Sequence, residues 1–392
     1  MVDQDVRHSR VALAHDWLCG FRGGEAVLDR LARLLVRSWE APDPLDPALR
    51  ASCLFVLFDD ARPVTPAIDA LARETSFLNH APRGLRRWLL PLYPAGVRDL
   101  GGALRRAHDR RAFDLVVSTS SSLVKGLRPP PGVPHVCYCH APARYLWTQP
   151  GAYADPSPAG RARGAGLSLF GPTLRRWDRA TSSNVSLFVA NSTHTARAIR
   201  RAFDRDSIVV HPPVRTEFFT PGDTPRESFW LFVGALEPYK RADLAIEAAR
   251  LAGRELVIAG EGTERSRLER LGGSGVRFMG RVSEAALLDL YRRADLLVFP
   301  QEEDFGIVAV EAQACGLRVL ARRAGGALDS VVEGVTGAFF DEPTGEAIAR
   351  AAERLPAGDP AACRTSALRF SEAAFDRAIL SVLGKIRPGR SS

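Results

Sequence analysis

Two glutamates, Glu303 and Glu311, stand eight positions apart on either side of a glycine, Gly306. An apolar run that ends at Phe299 predicts a buried strand before them, and a helical pattern begins near Ile307. A strand, a loop and a helix in this order place the loop at the carboxyl edge of a parallel sheet, where such folds bind ligands. The N–H groups at the helix start can hold a diphosphate. Glu303 can then bind sugar hydroxyls and Glu311 the two hydroxyls of a ribose; the alternative is two solvated surface charges.

A basic pair, Lys240 and Arg241, lies at a second turn of the same kind. It follows the apolar run Trp230–Val233 and precedes a helical pattern that begins at Ala242. Lysine is a compact point charge, so Lys240 is a candidate contact for an anionic ligand at this turn. The alternative is a solvated helix start.

Two segments in the first half of the chain carry polar residues after predicted strands. In the first, Asp16 precedes Gly23 and Gly24, and glycines at such a bend let the backbone approach a phosphate or sugar closely. In the second, His140 and Arg144 follow an apolar run, which makes His140 a candidate functional residue at a carboxyl-edge loop. The alternatives are a turn that merely joins strand to helix and a histidine with a structural role.

The elements that must position these residues form two successive series of apolar runs separated by helical stretches. The predicted strands cover residues 10–14, 54–58, 114–118, 135–138, 187–190 and 208–210, and then 230–233, 255–259, 276–279, 296–299, 318–321 and 337–340. Continuous apolar strands alternating with helices predict parallel sheets covered on both faces. Two series predict an α/β protein with two doubly wound domains, joined by the breaker-rich segment near 212–225.

Composition limits the classes of partner and compartment. The 392 residues are 46% hydrophobic and 25% charged, as in a soluble or peripheral protein, and no apolar run reaches the ~18 residues of a membrane span. The net charge of +8 predicts polyanionic partners, namely nucleic acid, acidic lipid or phosphorylated substrates, or else only solvated arginines. The six cysteines form no CxxC pair and no zinc-like cluster, which favours a reducing cytoplasm.

The motifs taken together resemble the retaining GT-B glycosyltransferases of the family-4 type over roughly residues 8–385. The resemblance rests on the E-x7-E spacing, on the segments at 232–241, 257–262 and 278–282, on the HDWL and RGGE stretches at 15–25, and on CHAPARYLW at 139–147. It implies the GT-B architecture, with two Rossmann-like domains facing across a cleft. The implied limits are 1–215 for an acceptor-side domain, 216–370 for a nucleotide-sugar domain, and 371–392 for a C-terminal helix that packs back toward the N-terminal domain.

The resemblance also implies roles for particular residues. The implied catalytic residues are His140, Lys240 and Glu303, of which His140 contacts the transferred sugar and Lys240 neutralises the departing diphosphate. The implied donor-binding residues are Gly23, Gly24, Arg241, Arg281, Val282, Phe305, Gly306, Ile307 and Glu311, and the acceptor-side residues are Asp16 and Arg144. One departure concerns Ala235, which stands where the family usually has a phosphate-binding arginine. Arg241 or the hydroxyl of Tyr239 can take over that contact.

The implied reaction is retaining transfer of a hexose from a nucleotide diphosphate sugar to a glycan or lipid-linked acceptor, by front-side attack of the acceptor hydroxyl. The HDWL and CHAPARYLW stretches resemble bacterial mannosyltransferases of polysaccharide synthesis, which favours GDP-mannose, with UDP-sugars as the alternative. No Asp-x-Asp motif follows a predicted strand, so we expect no essential metal ion and no cofactor. Other GT-B reactions, such as nucleotide-sugar epimerisation or phosphorolysis, remain alternatives.

Two further partners were weighed. A basic nucleic-acid-binding protein would need base-stacking aromatics on a sheet or a recognition helix, and neither is evident, so we expect no nucleic acid. The segment 82–93 mixes Arg86 and Arg87 with Trp88, which suits an anionic membrane or a lipid-linked acceptor. The alternative is that its aromatics pack into the core. The expected location is the cytoplasm, with the chain peripheral at the inner face of the cell membrane if that contact forms.

Overall fold

The computed structural model describes residues 9–21, 23–36, 49–148, 151, 158–355 and 358–386. The chain divides into two compact units. The first unit runs to Val210 and takes up the chain again from Asp376, and the second unit is His211–Phe375.

The first unit is built on a seven-stranded sheet in the order β3-β2-β1-β4-β5-β6-β7. All its strand pairs are parallel. The strands are β1 Ser9–Leu18, β2 Leu49–Asp59, β3 Ala72–Thr75, β4 Leu115–Ser120, β5 His135–Cys139, β6 Leu187–Ala190 and β7 Ser207–Val209. The helices are α1 Gly23–Val36, α2 Pro66–Asp69, α3 Tyr93–Arg110, α4 Arg144–Trp147, α5 Pro158–Thr181 and α6 Thr193–Phe203.

The second unit is built on a six-stranded parallel sheet in the order β10-β9-β8-β11-β12-β13. Its strands are β8 Trp230–Val233, β9 Leu256–Ala259, β10 Val276–Gly280, β11 Leu296–Phe299, β12 Arg318–Arg322 and β13 Gly337–Phe340. The helices are α7 Ala242–Leu251, α8 Arg265–Gly272, α9 Glu284–Arg293, α10 Ile307–Ala314, α11 Ala327–Ser330, α12 Gly345–Glu353 and α13 Pro360–Leu368. The last helix, α14 Glu372–Gly384, begins in this unit and ends in the first.

Both sheets bury apolar side chains on their two faces, as continuous apolar strands require. In the second unit, Val257 and Leu297 belong to one apolar cluster, whereas their strand neighbours Ile258 and Val298 belong to another. The predicted α/β class with two doubly wound sheets is confirmed. No helix in the described ranges is both long and apolar enough to cross a bilayer.

Three strands differ from what the sequence predicted, and one of them is β2, which begins at Leu49 rather than at residue 54. β3 was not predicted, because its sequence Ala-Arg-Glu-Thr lacks an apolar run and it lies at the edge of its sheet. β1 was predicted to end at residue 14 but continues to Leu18, because its pairing with β2 persists as far as Asp59. His15 and Asp16 therefore lie within a strand rather than in the loop after it.

Candidate active site

The loop that carries Glu303 reaches its helix through a glycine that no other residue can replace without strain. Gly306 has φ +88°, and a Cβ there would lie 2.7 Å from Cζ of the Phe299 ring. It is the residue from which α10 starts, so the first N–H groups of that helix open toward the residue 300–306 loop. The predicted strand, loop and helix are thus present around Gly306.

Lys240 and Glu303 meet although 63 positions separate them in the sequence. The ammonium donates to Oε1 of the carboxylate, and the side chains are only 14% and 21% exposed. Gln301 Nε2 also donates to Glu303 Oε1, at 3.0 Å. The loops after β8 and β11 therefore present one cation and one carboxylate side by side, as phosphate and sugar binding by this pair would require.

Arg241 occupies the tight bend between Lys240 and α7. Its φ is +54°, and its guanidinium contacts Asp243 Oδ1 of the helix at 3.2 Å. Tyr239 is exposed, and its ring lies 5.3 Å from Lys240 Nζ. Ala235 is exposed as well. Lys240 is thus flanked by both groups that were expected to replace the missing arginine.

Glu311 lies in the second turn of α10 and is partly buried. The hydroxyl of Tyr291, which is itself fully buried, donates to Glu311 Oε2 at 3.0 Å. Burial raises the pKa of this carboxyl to about 7, against the opposing effects of the Tyr291 bond and of Arg215. A carboxylate has about four acceptor positions, so the Tyr291 bond leaves room for ligand hydroxyls.

A glycine pair that the sequence analysis missed fixes the position of Glu303. Gly326 N donates to Glu303 O at 2.8 Å, and a Cβ on Gly325 would lie 2.3 Å from the same oxygen. The signal that could have found the pair is a Gly-Gly in the turn that follows the predicted strand 318–321. Tyr291 and Gln301 were also missed, and no local motif marks either residue.

Four of the predicted donor-binding residues lie outside the cluster of Lys240, Glu303 and Glu311. Phe305 is buried, with its ring 5.5 Å from that of His211 and 5.4 Å from that of Phe370. Its side chain belongs to the core, so the donor contact predicted for Phe305 would have to be made by its backbone. Ile307 and Val282 are partly buried and pack against that same core, and Arg281 is exposed.

In the first unit, His140 lies next to His15 and the start of α1. A Cβ on Gly24 would lie 3.7 Å from His140 Nε2 and 3.8 Å from His15 Cε1. His15 Nδ1 is 2.6 Å from Thr119 Oγ1. Gly23 and Gly24 form the first turn of α1 rather than a loop before it. The missing side chain of Gly24 therefore leaves space directly beside the two imidazoles.

Burial also determines the charge of His140. Its pKa is lowered to about 3, first by burial and then by the neighbouring His15 and Arg144. His140 Nε2 is buried without a hydrogen-bond partner among the described residues. Arg144, at the start of α4, is partly buried. A neutral imidazole suits a hydroxyl group, so this geometry fits the sugar contact expected of His140.

Asp16 has a different position from the one expected of an acceptor-side residue. It is buried, and both carboxylate oxygens are occupied by the chain that follows β4. The donors are Ser120 Oγ at 2.9 Å and the backbone N–H groups of Ser121 at 2.8 Å, Ser122 at 2.8 Å, Leu123 at 3.0 Å and Val124 at 2.8 Å. The expectation of a direct acceptor contact is wrong. Asp16 instead holds the 120–124 loop in place.

The segment that was expected to meet a membrane is a 3₁₀ helix, Arg83–Leu92. Arg86 is only 6% exposed, and it donates to Asp60 Oδ1 at 2.9 Å and to Asn79 O at 3.2 Å. Its assignment to a membrane contact is therefore wrong, because its charge is already paired inside the unit. Arg87 and Trp88 are exposed.

Comparison with known proteins separates the chain into the same two halves. The family model for Glycosyltransferase Family 4 matches residues 59–218, and the model for Glycosyl transferases group 1 matches residues 214–375. The chain belongs to the GT-B glycosyltransferases of the group 1, family 4 type. The resemblance to GT-B glycosyltransferases of the family-4 type is confirmed, whereas retention and a mannose donor stay predictions.

Curated relatives of this family match only part of the chain. The D-inositol 3-phosphate glycosyltransferase of Mycolicibacterium smegmatis is 38% identical over 206 residues, which are 45% of this chain and 47% of the relative. D-inositol 3-phosphate glycosyltransferase 2 of Catenulispora acidiphila is 36% identical over 182 residues, or 38% of this chain and 43% of the relative. The chain spans about half the length of the curated relatives that it matches.

Similar solved structures match nearly the whole chain. Anabaena HepE in complex with UDP has a TM-score of 0.67 at 19% identity, over 96% of this chain and 100% of that one. Sucrose-phosphate synthase from Thermosynechococcus elongatus has a TM-score of 0.68 at 18% identity, over 96% and 99%. At such identities these likenesses establish the GT-B fold.

Proposed function

We propose that this chain transfers a hexose from a nucleotide diphosphate sugar to a hydroxyl of an acceptor, with retention at the anomeric carbon. The observation that carries the proposal is the contact of Lys240 with Glu303 in front of the α10 start at Gly306. A cation and free N–H groups suit a diphosphate, and a carboxylate beside them suits sugar hydroxyls. The same residues lie within the part of the chain that the group 1 model matches.

In this proposal Lys240 acts on the leaving group. Glu303 neutralises the ammonium in the free protein, and the donor diphosphate takes over that role when it binds. Negative charge grows on the diphosphate as the glycosidic bond breaks, so a fixed cation stabilises the transition state more than the ground state. The departing phosphate accepts the proton of the attacking acceptor hydroxyl. We propose that Lys240 and the helix start provide this stabilisation without a divalent cation or any other cofactor.

The nucleoside is assigned to Glu311, whose carboxylate accepts the ribose hydroxyls. The base and the sugar remain two alternatives. The motifs favour GDP-mannose, whereas the structurally similar Anabaena HepE has been solved with UDP and with UDP-glucose. The proposed acceptor is a glycan or a lipid-linked glycan in polysaccharide synthesis. D-inositol 3-phosphate, named in the curated relatives, is a second acceptor to test.

The decisive experiment is calorimetry with UDP, GDP, UDP-glucose and GDP-mannose, followed by product analysis with the donor that binds. We expect one nucleotide pair to bind and the Glu311→Ala variant to bind it about 1–3 kcal/mol more weakly, because ribose hydroxyls lose their acceptor. Equal binding by the variant would remove Glu311 from the site. If the product is an epimerised nucleotide sugar or a sugar phosphate, the reaction is epimerisation or phosphorolysis and not transfer to an acceptor.

The proposed location is the cytoplasmic face of a membrane, reached through the 3₁₀ helix Arg83–Leu92. Its apolar side chains Leu85, Trp88 and Leu92 are 54%, 45% and 48% exposed, and Arg87 is exposed beside them. Exposed apolar groups interleaved with arginine suit an interface that bears anionic lipid. A lipid-linked acceptor would be met at that surface.

A further inference from the structure

The carboxyl edge of the first sheet holds a second polar side chain with a buried atom that has no hydrogen-bond partner among the described residues. Asn191 follows β6 directly and is only 6% exposed. Its Oδ1 is buried and accepts no hydrogen bond from any described residue. A buried polar atom without a partner costs free energy, so such an atom marks a place where water or a ligand completes the structure.

Asn191 and His140 occupy equivalent positions on neighbouring strands. Cys139 of β5 pairs in register with Ala190 of β6, and His140 and Asn191 are the next residues along the two strands. Cys139 and Ala190 pack with α6 on one face of the sheet. His140 and Asn191 come one residue after the strand ends, and continuing the alternation of side chains by that one residue puts both on the opposite face.

The contacts of the His140 ring agree with its placement on that opposite face. The ring of Tyr138 lies 5.2 Å from that of His140, two residues along the same strand. Gly24 of α1 covers His140 on this face without a side chain of its own. The two unpartnered atoms, His140 Nε2 and Asn191 Oδ1, are therefore presented on one face at one sheet edge, beside a position where α1 has no side chain.

The chemistry of the two atoms selects the ligand group. The amide oxygen only accepts hydrogen bonds, so its partner must be a donor, which excludes an ionised phosphate or carboxylate. His140 is neutral and donates from Nε2 when the proton resides there. A hydroxyl is both donor and acceptor, so it matches an acceptor beside a neutral imidazole.

We propose that Asn191 is a substrate-contact residue that accepts a hydrogen bond from a sugar hydroxyl, in a subsite that it shares with His140. This inference rests on the proposed function, since a sugar substrate supplies the hydroxyl. The hydroxyl belongs either to the donor sugar or to the acceptor, and both sources have the same chemistry.

The kinetic test compares Asn191→Ala with Asn184→Ala. Asn184 is a matched control in the same unit, because its Nδ2 makes a structural bond to Gly126 O at 2.9 Å. With UDP-glucose and GDP-mannose as donors, Asn191→Ala should lower kcat/KM about 10- to 100-fold, while the dissociation constants of UDP and GDP change less than twofold. Asn184→Ala should lower the melting temperature and leave kcat/KM within about twofold.

Two arms distinguish the source of the hydroxyl. Hydrolysis of the donor without acceptor becomes slower in Asn191→Ala if the donor sugar contacts Asn191. If the acceptor contacts it, only the acceptor KM rises. Either result supports the subsite, and kcat/KM equal to that of the wild type in a folded Asn191→Ala protein overturns it.

A crystal structure of the wild type without nucleotide tests the subsite independently of turnover and of the folding of the variant. We expect an ordered water within hydrogen-bond distance of both His140 Nε2 and Asn191 Oδ1, which a sugar hydroxyl replaces. A direct bond from Asn191 Oδ1 to another protein group would overturn the proposal. If the wild type turns over neither nucleotide sugar, the proposed function fails, and this crystal structure alone decides whether the two side chains hold an oxygen ligand.

Discussion

At the scale of single residues, pairing and burial act on the candidate residues of each unit. In the second unit Lys240 pairs with Glu303, where a diphosphate would bind. Burial raises the pKa of Glu311 in that unit to about 7, and it lowers the pKa of His140 in the first unit to about 3. Burial thus favours the neutral forms of the two residues that are proposed to contact ribose and sugar hydroxyls.

Glu311 should make the stability of the protein depend on pH. Its folded pKa of about 7 lies above the ordinary value of 4.5, so the folded state binds the proton more tightly than the unfolded chain does. The wild type should therefore lose stability relative to Glu311→Gln as pH rises from about 4.5 to about 7, with a constant difference above that. Melting temperatures of both proteins from pH 4.5 to 8 measure this, and parallel curves would contradict the burial of the charge.

Lys240 should matter more for the rate than for donor binding. Replacing it by alanine removes a charge that acts mainly as the diphosphate departs, so we expect kcat to fall about 10²- to 10³-fold. The donor dissociation constant should change much less. Lys240→Arg keeps the charge and serves as the control, with a smaller loss of kcat. Steady-state kinetics with calorimetry on the same samples separates the two effects, and an unchanged kcat in Lys240→Ala would exclude this role.

At the scale of elements, the sequence predicted twelve of the thirteen observed strands because each of those twelve carries an apolar or β-branched run. β3 was not predicted because it is held by hydrogen bonds at the edge of the sheet and has no buried apolar run. The loop of Glu303 was predicted from the order of strand, glycine and helix. Its contact with Lys240 was not predicted from periodicity, since tertiary packing alone brings together residues 63 positions apart.

Asp16 shows that a motif does not reveal whether a residue lies in a strand or in the loop after it. A carboxylate near a Gly-Gly turn suggested a ligand contact, whereas the structure gives it five donors from residues 120–124. The reason is that β1 extends to Leu18, so Asp16 lies within a strand of the sheet rather than in a loop. The residue is therefore a positioning residue for the loop after β4.

Replacing Asp16 should lower the free energy of unfolding, and the loss should grow with the number of hydrogen-bond donors that are left without an acceptor. We expect Asp16→Ala to lower the free energy of unfolding by about 2–4 kcal/mol, because several buried N–H groups lose their partner together. Ser120→Ala removes one of the five donors and should cost only about 1 kcal/mol. Urea denaturation of both variants measures this difference. Equal, small losses would mean that the loop is held by other contacts.

At the scale of the whole molecule, the arginine surplus has an internal use that composition does not reveal. Arg226 donates to the carbonyl oxygens of Tyr291, Ala294 and Cys315, and Arg364 donates to those of Thr216, Phe219 and Ala314. Arg86 is paired with Asp60 in the same way. A net charge of +8 therefore overstates the cationic groups that are available to an external partner. Any membrane contact must be sought among the exposed arginines, of which Arg87 is one.

The last prediction concerns that membrane contact. The double variant Arg87→Glu/Trp88→Ala should lose sedimentation with vesicles of anionic lipid while its melting temperature stays within about 2 °C of the wild type, because both side chains are exposed. Arg270→Glu/Leu271→Ala makes the same change of charge at an exposed site of the second unit and should sediment like the wild type.

The buried arginine of the same helix should behave differently from Arg87. Arg86→Ala should lower the melting temperature, since it leaves Asp60 without its buried partner. The binding of the wild type to anionic vesicles should be strongest at low salt and should weaken as the salt concentration rises, because exposed charges more than about 10 Å apart are screened at 0.1 M. Equal sedimentation of the two double variants would remove the Arg83–Leu92 helix from the membrane contact, and a wild type that never binds anionic vesicles at low salt would remove the contact altogether.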